Sequence, residues 1–232
     1  MDANSALPQL MRQPSTWRWP LLHYLPAFVF LVLSAAAAGP LQFGDVNIMV
    51  TTDMHGWVAG HTHPDYPAPP RNADFGQLVS FHQRLKAAAA SQGKDLWLFD
   101  NGDVVDGTGL TAAGSVDGQL LFPLLQSVPY DALGIGNHEL YKNSTVLRGL
   151  LGEKGFVSHW GGKYLTSNVQ MANGAPLGSR SITLHGRFGQ KILVMGFLYE
   201  MPDHCGAVTV GKINATVAEP WFHEAVSQEG LA

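Results

Sequence analysis

The sequence predicts an α/β fold built around a largely parallel sheet. Short apolar runs alternate along the chain with segments of helical period, and this alternation is typical of parallel sheets flanked by helices. Polar clusters directly follow three of the apolar runs, as expected where functional residues lie at the carboxyl ends of strands. The composition agrees, because 46% of the 232 residues are hydrophobic and 14% are charged, as in a globular domain.

The individual elements follow from the same pattern. Apolar and β-branched runs that end in glycine or polar residues predict strands at residues 46–52, 96–99, 131–135, 164–169 and 191–198. Apolar side chains at helical spacing predict helices at residues 75–85, 119–126, 145–151 and 219–228. Asp74 and Gln77 form a capping signal for the first helix, and Pro220 lies in the first turn of the last one.

Residues 1–38 have the order of a secretory signal. Two arginines precede the apolar residues 21–33, and small residues with an A-x-A cleavage pattern follow. The apolar part is shorter than the roughly 20 residues of a membrane-spanning helix, and Pro26 interrupts it. We therefore expect a cleaved signal and a mature chain of residues 39–232. The alternative is an uncleaved anchor, the one case in which a membrane would be a partner.

A secretory signal implies a secreted or vacuolar, extracytoplasmic protein. In that setting the N-x-[ST] patterns at Asn143 and Asn214 are candidate glycosylation sites. A single cysteine excludes an intramolecular disulfide framework and a Cys-rich zinc module, so a metal site would use Asp, His and Asn. The formal charge of −4, without a cluster of Lys and Arg, argues against binding to a nucleic-acid polymer.

Three strand ends carry residues suited to metal chemistry. The run DMHG at 53–56 holds a carboxylate and an imidazole two residues apart, and in extended backbone both would point to one face. Residues 100–107 crowd three carboxylates into a glycine-bearing turn, which is costly unless a cation neutralises them. The run GNHE at 136–139 adds an amide, an imidazole and a carboxylate. Together they predict a site for divalent cations.

These motifs resemble a known family. D-x-H at 53–55, G-D-x-x-D at 102–106 and G-N-H-E at 136–139 resemble the first three signatures of the calcineurin-like metallophosphoesterases. The run YLTSNV at 164–169 is similar to the 5'-nucleotidase branch, and GNHELY at 136–141 is similar to a fungal secreted or vacuolar subgroup of nucleotidases. The resemblance implies a β-sandwich flanked by helices, in α-β-β-α layers, of which residues 39–232 form the N-terminal part.

The resemblance also implies two divalent ions, such as Zn, Mn or Fe, and a role for each motif residue. Asp53 and His55 would hold the first ion. Asp103 would bridge both ions, and Asn137 would hold the second. His138 would be the catalytic residue that faces the substrate phosphate and stabilises the leaving oxygen, with Asn137 also touching the substrate. The implied reaction is hydrolysis of phosphomonoesters, with a small nucleotide-like substrate, because paired ions activate water and clamp phosphoryl oxygens.

Two departures from the family pattern bear on this expectation. The Asp that orients the catalytic imidazole in many 5'-nucleotidases corresponds here to Tyr141, and Glu139 or Asp106 are the carboxylates that could replace it. The late Gly-His-x-His signature does not follow the last predicted strand, so the domain is expected to be incomplete at its C-terminus. His61 and His63 have that spelling but directly follow the first motif. The alternative function is therefore a noncatalytic metal-binding remnant or binding protein without the second metal site.

Overall fold

The computed structural model describes residues 41–60, 72–107, 109–152, 155–228 and 230. The expected signal at residues 1–38 and the pair His61 and His63 lie outside the described residues. Within the described ranges, no helix is both long and apolar enough to cross a membrane.

A four-stranded parallel sheet places the three polar motifs at one edge. Its strands are β1 (Ile48–Thr51), β2 (Trp97–Asp100), β3 (Ala132–Gly134) and β4 (Tyr164–Leu165), in the spatial order β1-β2-β3-β4. Each neighbouring pair is parallel, with Val50 beside Phe99, for example. The carboxyl ends of β1, β2 and β3 therefore meet at the same edge, where the three motifs follow. The predicted parallel sheet is confirmed.

Helix α1 (Phe75–Ser91) begins where its capping signal places it. It opens with a capping box, in which the Asp74 carboxylate accepts from the Gln77 N–H at 2.8 Å and the Gln77 side chain accepts from the Asp74 N–H at 3.1 Å. Two predicted helices form as α2 (Leu121–Leu125) and as a π-helical segment (Thr145–Leu150). The remaining helices are α3 (Phe156–Trp160), α4 (Ile213–Thr216) and α5 (Pro220–Gln228). Short 3₁₀ turns lie at Thr111–Ala113, His138–Leu140 and Gly161–Lys163.

Two antiparallel strand pairs accompany the parallel sheet. Strand β5 (Val169–Met171) pairs with β8 (Val208–Val210), and β6 (Ser181–His185) pairs with β7 (Lys191–Met195). The β6–β7 turn is fixed to the start of β2, because the Asp95 carboxylate accepts from the backbone N–H of Arg187 at 2.8 Å and of Phe188 at 3.0 Å. The turn of this hairpin is thus held against the residues that lead into β2.

The single strand predicted at residues 164–169 is wrong, because the structure divides it into β4 and the start of β5. Between them, two polar side chains bind the chain that follows β7. The Ser167 hydroxyl accepts from Gly196 N at 2.9 Å, and the Asn168 side chain exchanges hydrogen bonds with the backbone of Leu198 at 2.7 and 2.8 Å. These bonds take the place of further strand pairing.

The core lies against one face of the parallel sheet. Leu98, Leu133 and Tyr164 of β2, β3 and β4 are each at most 1% exposed. Aromatic rings from α2 and α3 pack there, with the Phe122 and Phe156 rings stacked at 4.4 Å and the Phe156 and Tyr164 rings edge to face at 5.5 Å. Each fully buried apolar side chain of this size stabilises the fold by about 1.5–3 kcal/mol. This packing holds the strand ends in a fixed arrangement.

His82 of α1 is a buried polar residue that this packing leaves without a partner. It is 2% exposed, and among the described residues neither ring nitrogen has a hydrogen-bond partner. Burial, with a further contribution from the nearby Lys86 ammonium, lowers the pKa of His82, while Asp131 acts in the opposite direction. The native state therefore disfavours the protonated form of this imidazole.

Replacing the His82 imidazole should make the free energy of unfolding less sensitive to acid. Below the ordinary histidine pKa of about 6.5 the unfolded chain binds a proton that native His82 does not, so the free energy of unfolding falls as the pH falls. We expect His82→Leu to raise that free energy by about 1 kcal/mol and to flatten its decline below pH 6.5. Urea unfolding from pH 8 to pH 5 measures both effects, with His185→Gln at an exposed histidine as the control. An unchanged pH profile for His82→Leu would contradict the expectation.

Candidate metal centre

The backbone that follows β1 turns toward the loop that follows β2. Asp53 has φ +53° and His55 has φ +45°, so the extended backbone expected for this pair is wrong. The reason is a set of hydrogen bonds between the two loops. Asp53 N donates to Gly102 O and His55 N donates to Asp103 O, both at 3.1 Å. The two motifs are thereby joined through their main chains.

Left-handed backbone at residues other than glycine is concentrated here. Among the described residues, Asp53, His55, Asp103 and Asp106 have positive φ and carry side chains, with values between +45° and +91°. Each such residue costs about 1–2 kcal/mol relative to ordinary backbone. Strain of this kind clusters at functional sites, where the surrounding structure enforces it. Its position therefore marks these two loops as a candidate functional site.

Three side chains from the three strand ends form a group that suits a metal ion. One ligand atom each from His55, Asp103 and His138 lies within 4.8 Å of the other two, and all three residues are half-buried. The imidazole rings of His55 and His138 meet edge to face with their centroids 4.4 Å apart. Imidazole nitrogens and a carboxylate are ligands that zinc, manganese and iron accept, so the donor set fits a divalent ion.

The other two expected ligands lie beside this group. An Asp53 carboxylate oxygen is 3.8 Å from His55 Nε2, with 59% of the Asp53 side chain exposed. Asn137 directly precedes His138, and its side-chain Nδ2 donates to the hydroxyl of Tyr141 at 2.6 Å. Asp103 is also tied to the third motif, since its Oδ1 accepts from the His138 N–H at 2.9 Å. The structure thus brings all five expected site residues to one edge of the sheet.

A carboxylate binds the imidazole of His138, and it is that of Asp106. The Asp106 Oδ2 atom lies 2.6 Å from His138 Nδ1, and both side chains are about one-third exposed or less. Partial burial acts to raise the pKa of Asp106, but the hydrogen bonds from His138 and Gly107 outweigh it and the pKa is lowered. The sequence left Asp106 and Glu139 as candidates for the carboxylate that is absent at position 141. In the structure Asp106 is the one that contacts His138.

Glu139 has a different role, which the sequence analysis missed. It is fully buried, and its carboxylate accepts four backbone N–H groups. Oε1 accepts from Val104 at 2.8 Å and Val105 at 3.1 Å, while Oε2 accepts from Asp103 at 3.0 Å and Gly136 at 2.9 Å. Burial raises the pKa of Glu139, although the backbone donors oppose that effect. One side chain thus fixes the second motif to the third.

Two glycines allow this close approach. A Cβ on Gly136 would collide with the backbone N and carboxylate of Asp103, and a Cβ on Gly102 would collide with the backbone of Gly136. Gly102 also has φ +88°, which favours glycine. The glycines of both motifs are therefore required by contact between the loops.

The carboxylate at the end of β2 is turned into the protein. Asp100 is 3% exposed; it accepts from Thr51 Oγ1 at 2.6 Å and from Gly102 N at 3.0 Å. Burial raises its pKa to about 7. The Tyr130 hydroxyl completes the network at 2.7 Å from Thr51 Oγ1. Of the three carboxylates in this loop, Asp103 and Asp106 lie at the candidate site, while Asp100 binds Thr51 and the backbone of Gly102.

The expected glycosylation sites are both exposed. The side-chain oxygen of Asn143 accepts from Ala207 N at 2.9 Å, and Asn214 lies in α4. Glycosylation of either residue stays a prediction.

Comparison with known proteins places this geometry in a family. Residues 46–228 match the profile of the calcineurin-like phosphoesterases. The chain belongs to the calcineurin-like phosphoesterase family. The resemblance inferred from the three motifs is thereby confirmed, together with the mixed α/β fold.

The relatives are fungal proteins that are considerably longer. The chain is 34% identical to an uncharacterized protein of Schizosaccharomyces pombe over 82% of its own length and 31% of the relative's. It is also 34% identical to a secreted protein of Arthroderma benhamiae, over 81% of its length and 28% of the relative's. The chain thus spans about a third of the length of the curated relatives that it matches.

Solved structures give the same picture. A 5'-nucleotidase from Candida albicans is 34% identical with a TM-score of 0.73, and the match covers 81% of this chain and 34% of the nucleotidase. A sulfate thiohydrolase of Thermus thermophilus is 15% identical with a TM-score of 0.59, and the match covers 81% of this chain and 42% of the thiohydrolase. This protein shares the fold. The sequence identity and the TM-score of the first match support a phosphoesterase fold like that of the 5'-nucleotidase.

Replacing Glu139 should loosen the site as a whole. In Glu139→Gln an amide NH₂ would face backbone N–H groups that now donate to a carboxylate oxygen, which leaves buried donors unpaired. We expect a loss of about 2 kcal/mol or more in the free energy of unfolding, because unsatisfied buried polar groups carry costs of this size. Denaturant titration measures it, with Glu224→Gln at an exposed position as the control. Equal stability of the two variants would show that the buried carboxylate is dispensable.

Proposed function

We propose that the protein is a metal-dependent hydrolase of phosphomonoesters, 5'-nucleotidase-like, that uses two divalent ions. The observation that carries this proposal is the group formed by His55, Asp103 and His138, with the Asp106 carboxylate 2.6 Å from the third member. In this group His55 and Asp103 offer ligand atoms to a cation, and the carboxylate-bound imidazole of His138 offers a proton donor beside them. These are the two requirements for transfer of a phosphoryl group to water.

The proposed substrate class rests on the similarity to a solved 5'-nucleotidase. The Candida albicans 5'-nucleotidase shares 34% of the residues over 81% of this chain, which supports a small, nucleotide-like phosphate ester as the substrate. A polymeric nucleic acid remains disfavoured, because the chain has a formal charge of −4.

The proposed ligands follow from the motifs and their placement. Asp53 and His55 would hold the first ion, Asp103 would contact both ions, and Asn137 would hold the second. When bound, such ions lower the pKa of water and neutralise charge on the phosphoryl oxygens. Asp103 suits the shared position because its carboxylate has two oxygens. Asn137 contributes an oxygen without adding negative charge beside the phosphate.

His138 would protonate the leaving oxygen. The contact between Nδ1 and Asp106 orients the imidazole. With a proton on Nδ1, the ring would donate to the carboxylate, whose charge would favour a protonated ring during the transfer. Nε2 is then the nitrogen that gives its proton to the leaving-group oxygen as the bond between phosphorus and that oxygen breaks. A positioned acid of this kind contributes about 10²–10⁴-fold to a rate.

We further propose that residues 1–38 are a cleaved signal and that the protein acts in the secreted or vacuolar space. The order of charged, apolar and small residues at the N-terminus supports this location. The similar Arthroderma benhamiae protein is described as secreted.

Asp103→Asn should abolish metal-dependent hydrolysis. An amide cannot neutralise two cations, and its single oxygen cannot serve both. We expect loss of bound metal by elemental analysis and loss of p-nitrophenyl phosphate hydrolysis with added manganese or zinc. Asp203→Asn, at an exposed carboxylate outside the site, is the control and should behave as the wild type. Near-normal turnover in Asp103→Asn would place the site elsewhere, while metal binding without turnover in the wild type would favour the noncatalytic alternative.

Asp106→Asn should impair the proton donor while leaving the metal bound. The amide keeps the size of the side chain but loses the charge that stabilises the protonated imidazole. We expect kcat to fall about 100-fold or more, with metal content and KM nearly unchanged. Steady-state kinetics and elemental analysis measure this, with Asp45→Asn at a fully exposed ion pair as the control. A parallel loss of metal would instead identify Asp106 as a ligand.

A further inference from the structure

Tyr141 lies in the metal centre although the family pattern assigns no such residue there. Its hydroxyl oxygen accepts from Asn137 Nδ2 at 2.6 Å. The 3₁₀ turn His138–Leu140 brings the two residues together, with Leu140 N donating to Asn137 O at 2.9 Å. Glu139 and Leu140 in this turn are both fully buried. The pairing of Asn137 and Tyr141 is therefore fixed by a turn that has little freedom to move.

The aromatic ring of Tyr141 makes a second contact in the site. Its centroid lies 4.9 Å from that of His138, with the rings near perpendicular at 73°. His138 also contacts the His55 ring and the Asp106 carboxylate. Tyr141 is 42% exposed. Its side chain therefore contacts both residues of the Asn-His pair, Asn137 through the hydroxyl and His138 through the ring.

We propose that Tyr141 is a positioning residue that orients the side-chain amide of Asn137 for metal binding. The two ends of an amide have nearly the same shape, but only the oxygen can bind a cation. The phenol oxygen accepts from the amide nitrogen, so the carbonyl oxygen is the end that remains available as a ligand. In the absence of the hydroxyl, rotation of the amide can present the NH₂ group to the cation. This inference rests on the proposed role of Asn137 as a ligand of the second ion.

This role explains why residue 141 can be a tyrosine here, where many 5'-nucleotidases have an aspartate. The carboxylate contact to His138 comes from Asp106 on the β2 loop, which frees residue 141 from that role. A tyrosine there can reach Asn137 through its hydroxyl and His138 through its ring edge. Tyr141 acts on the metal through Asn137 and does not itself touch the reacting atoms.

The test compares Tyr141→Phe with Tyr199→Phe. Phenylalanine keeps the ring against His138 and removes only the hydroxyl, while Tyr199 is 78% exposed and serves as the control for loss of a phenol. Calorimetric titration of the metal-free protein with Mn²⁺ measures affinity without reference to activity. Loss of a residue that orients a ligand typically weakens metal binding about 10–100-fold. We expect a weakening of about 10-fold for the ion held by Asn137 in Tyr141→Phe, and none in Tyr199→Phe.

A double-mutant cycle shows whether the hydroxyl acts through Asn137. In the background of Asn137→Ala, adding Tyr141→Phe should cause no further loss of Mn²⁺ affinity. An equal loss in both backgrounds, or no loss in Tyr141→Phe alone, would overturn the inference. A side-chain amide resonance of ¹⁵N-labelled Asn137 that shifts in Tyr141→Phe and stays in place in Tyr199→Phe would support the hydrogen bond in the metal-free protein; no shift would count against it.

The same cycle separates this inference from the proposed function. If Asn137→Ala weakens Mn²⁺ binding and Tyr141→Phe does not, the metal role of Asn137 stands and the role of Tyr141 is wrong. If Asn137→Ala leaves Mn²⁺ binding unchanged, the proposed second ion loses its ligand and the inference about Tyr141 is overturned with it.

Discussion

The arrangement of the metal centre depends on a buried carboxylate that binds only backbone. Glu139 accepts N–H groups from residues 103–105 and from Gly136, so one side chain joins the ends of β2 and β3. Removing a carboxylate from water is costly, and charge-assisted bonds to four donors offset that cost. Because these donors belong to the main chain, the Glu139 carboxylate holds the backbone of the second motif against that of the third.

Around this anchor, the three loops each contribute side chains to the proposed site. The β1 loop would give the ligands Asp53 and His55, and the β2 loop would give Asp103 as a further ligand, while its Asp106 carboxylate contacts the imidazole of His138. The β3 loop carries that imidazole and the Asn137 amide, which donates to the Tyr141 hydroxyl. Parallel strands make this division possible, because their carboxyl ends meet at one edge of the sheet. The strand order thus converts three separated motifs into one site.

The sequence predicted the fold and the site wherever local pattern carries the information. Strand β1 and helix α1 follow from apolar period and capping, and the grouping of His55 with His138 follows from strand ends. Strand β8 was missed because it is a three-residue segment whose partner, β5, is distant in sequence. Strand β6 was also missed, although it pairs with the neighbouring β7. The sequence offered two candidates, Asp106 and Glu139, for the carboxylate that contacts His138. It could not decide between them, because the choice depends on the distance between two loops. The burial of Glu139 was missed for the same reason, because it is created by tertiary contact.

The left-handed backbone at Asp53, His55, Asp103 and Asp106 also constrains how this protein can change. Glycine would adopt those φ values with little strain, so substitution by glycine would relieve an energetic cost at each position. The greater conformational entropy of glycine in the unfolded chain would offset part of this gain in stability. Selection for thermal resistance alone would therefore favour replacing these four side chains. Retaining them sets stability against the proposed function at the same residues. A thermostable variant of this scaffold should consequently be sought in the surface and helices, with these two loops left unaltered.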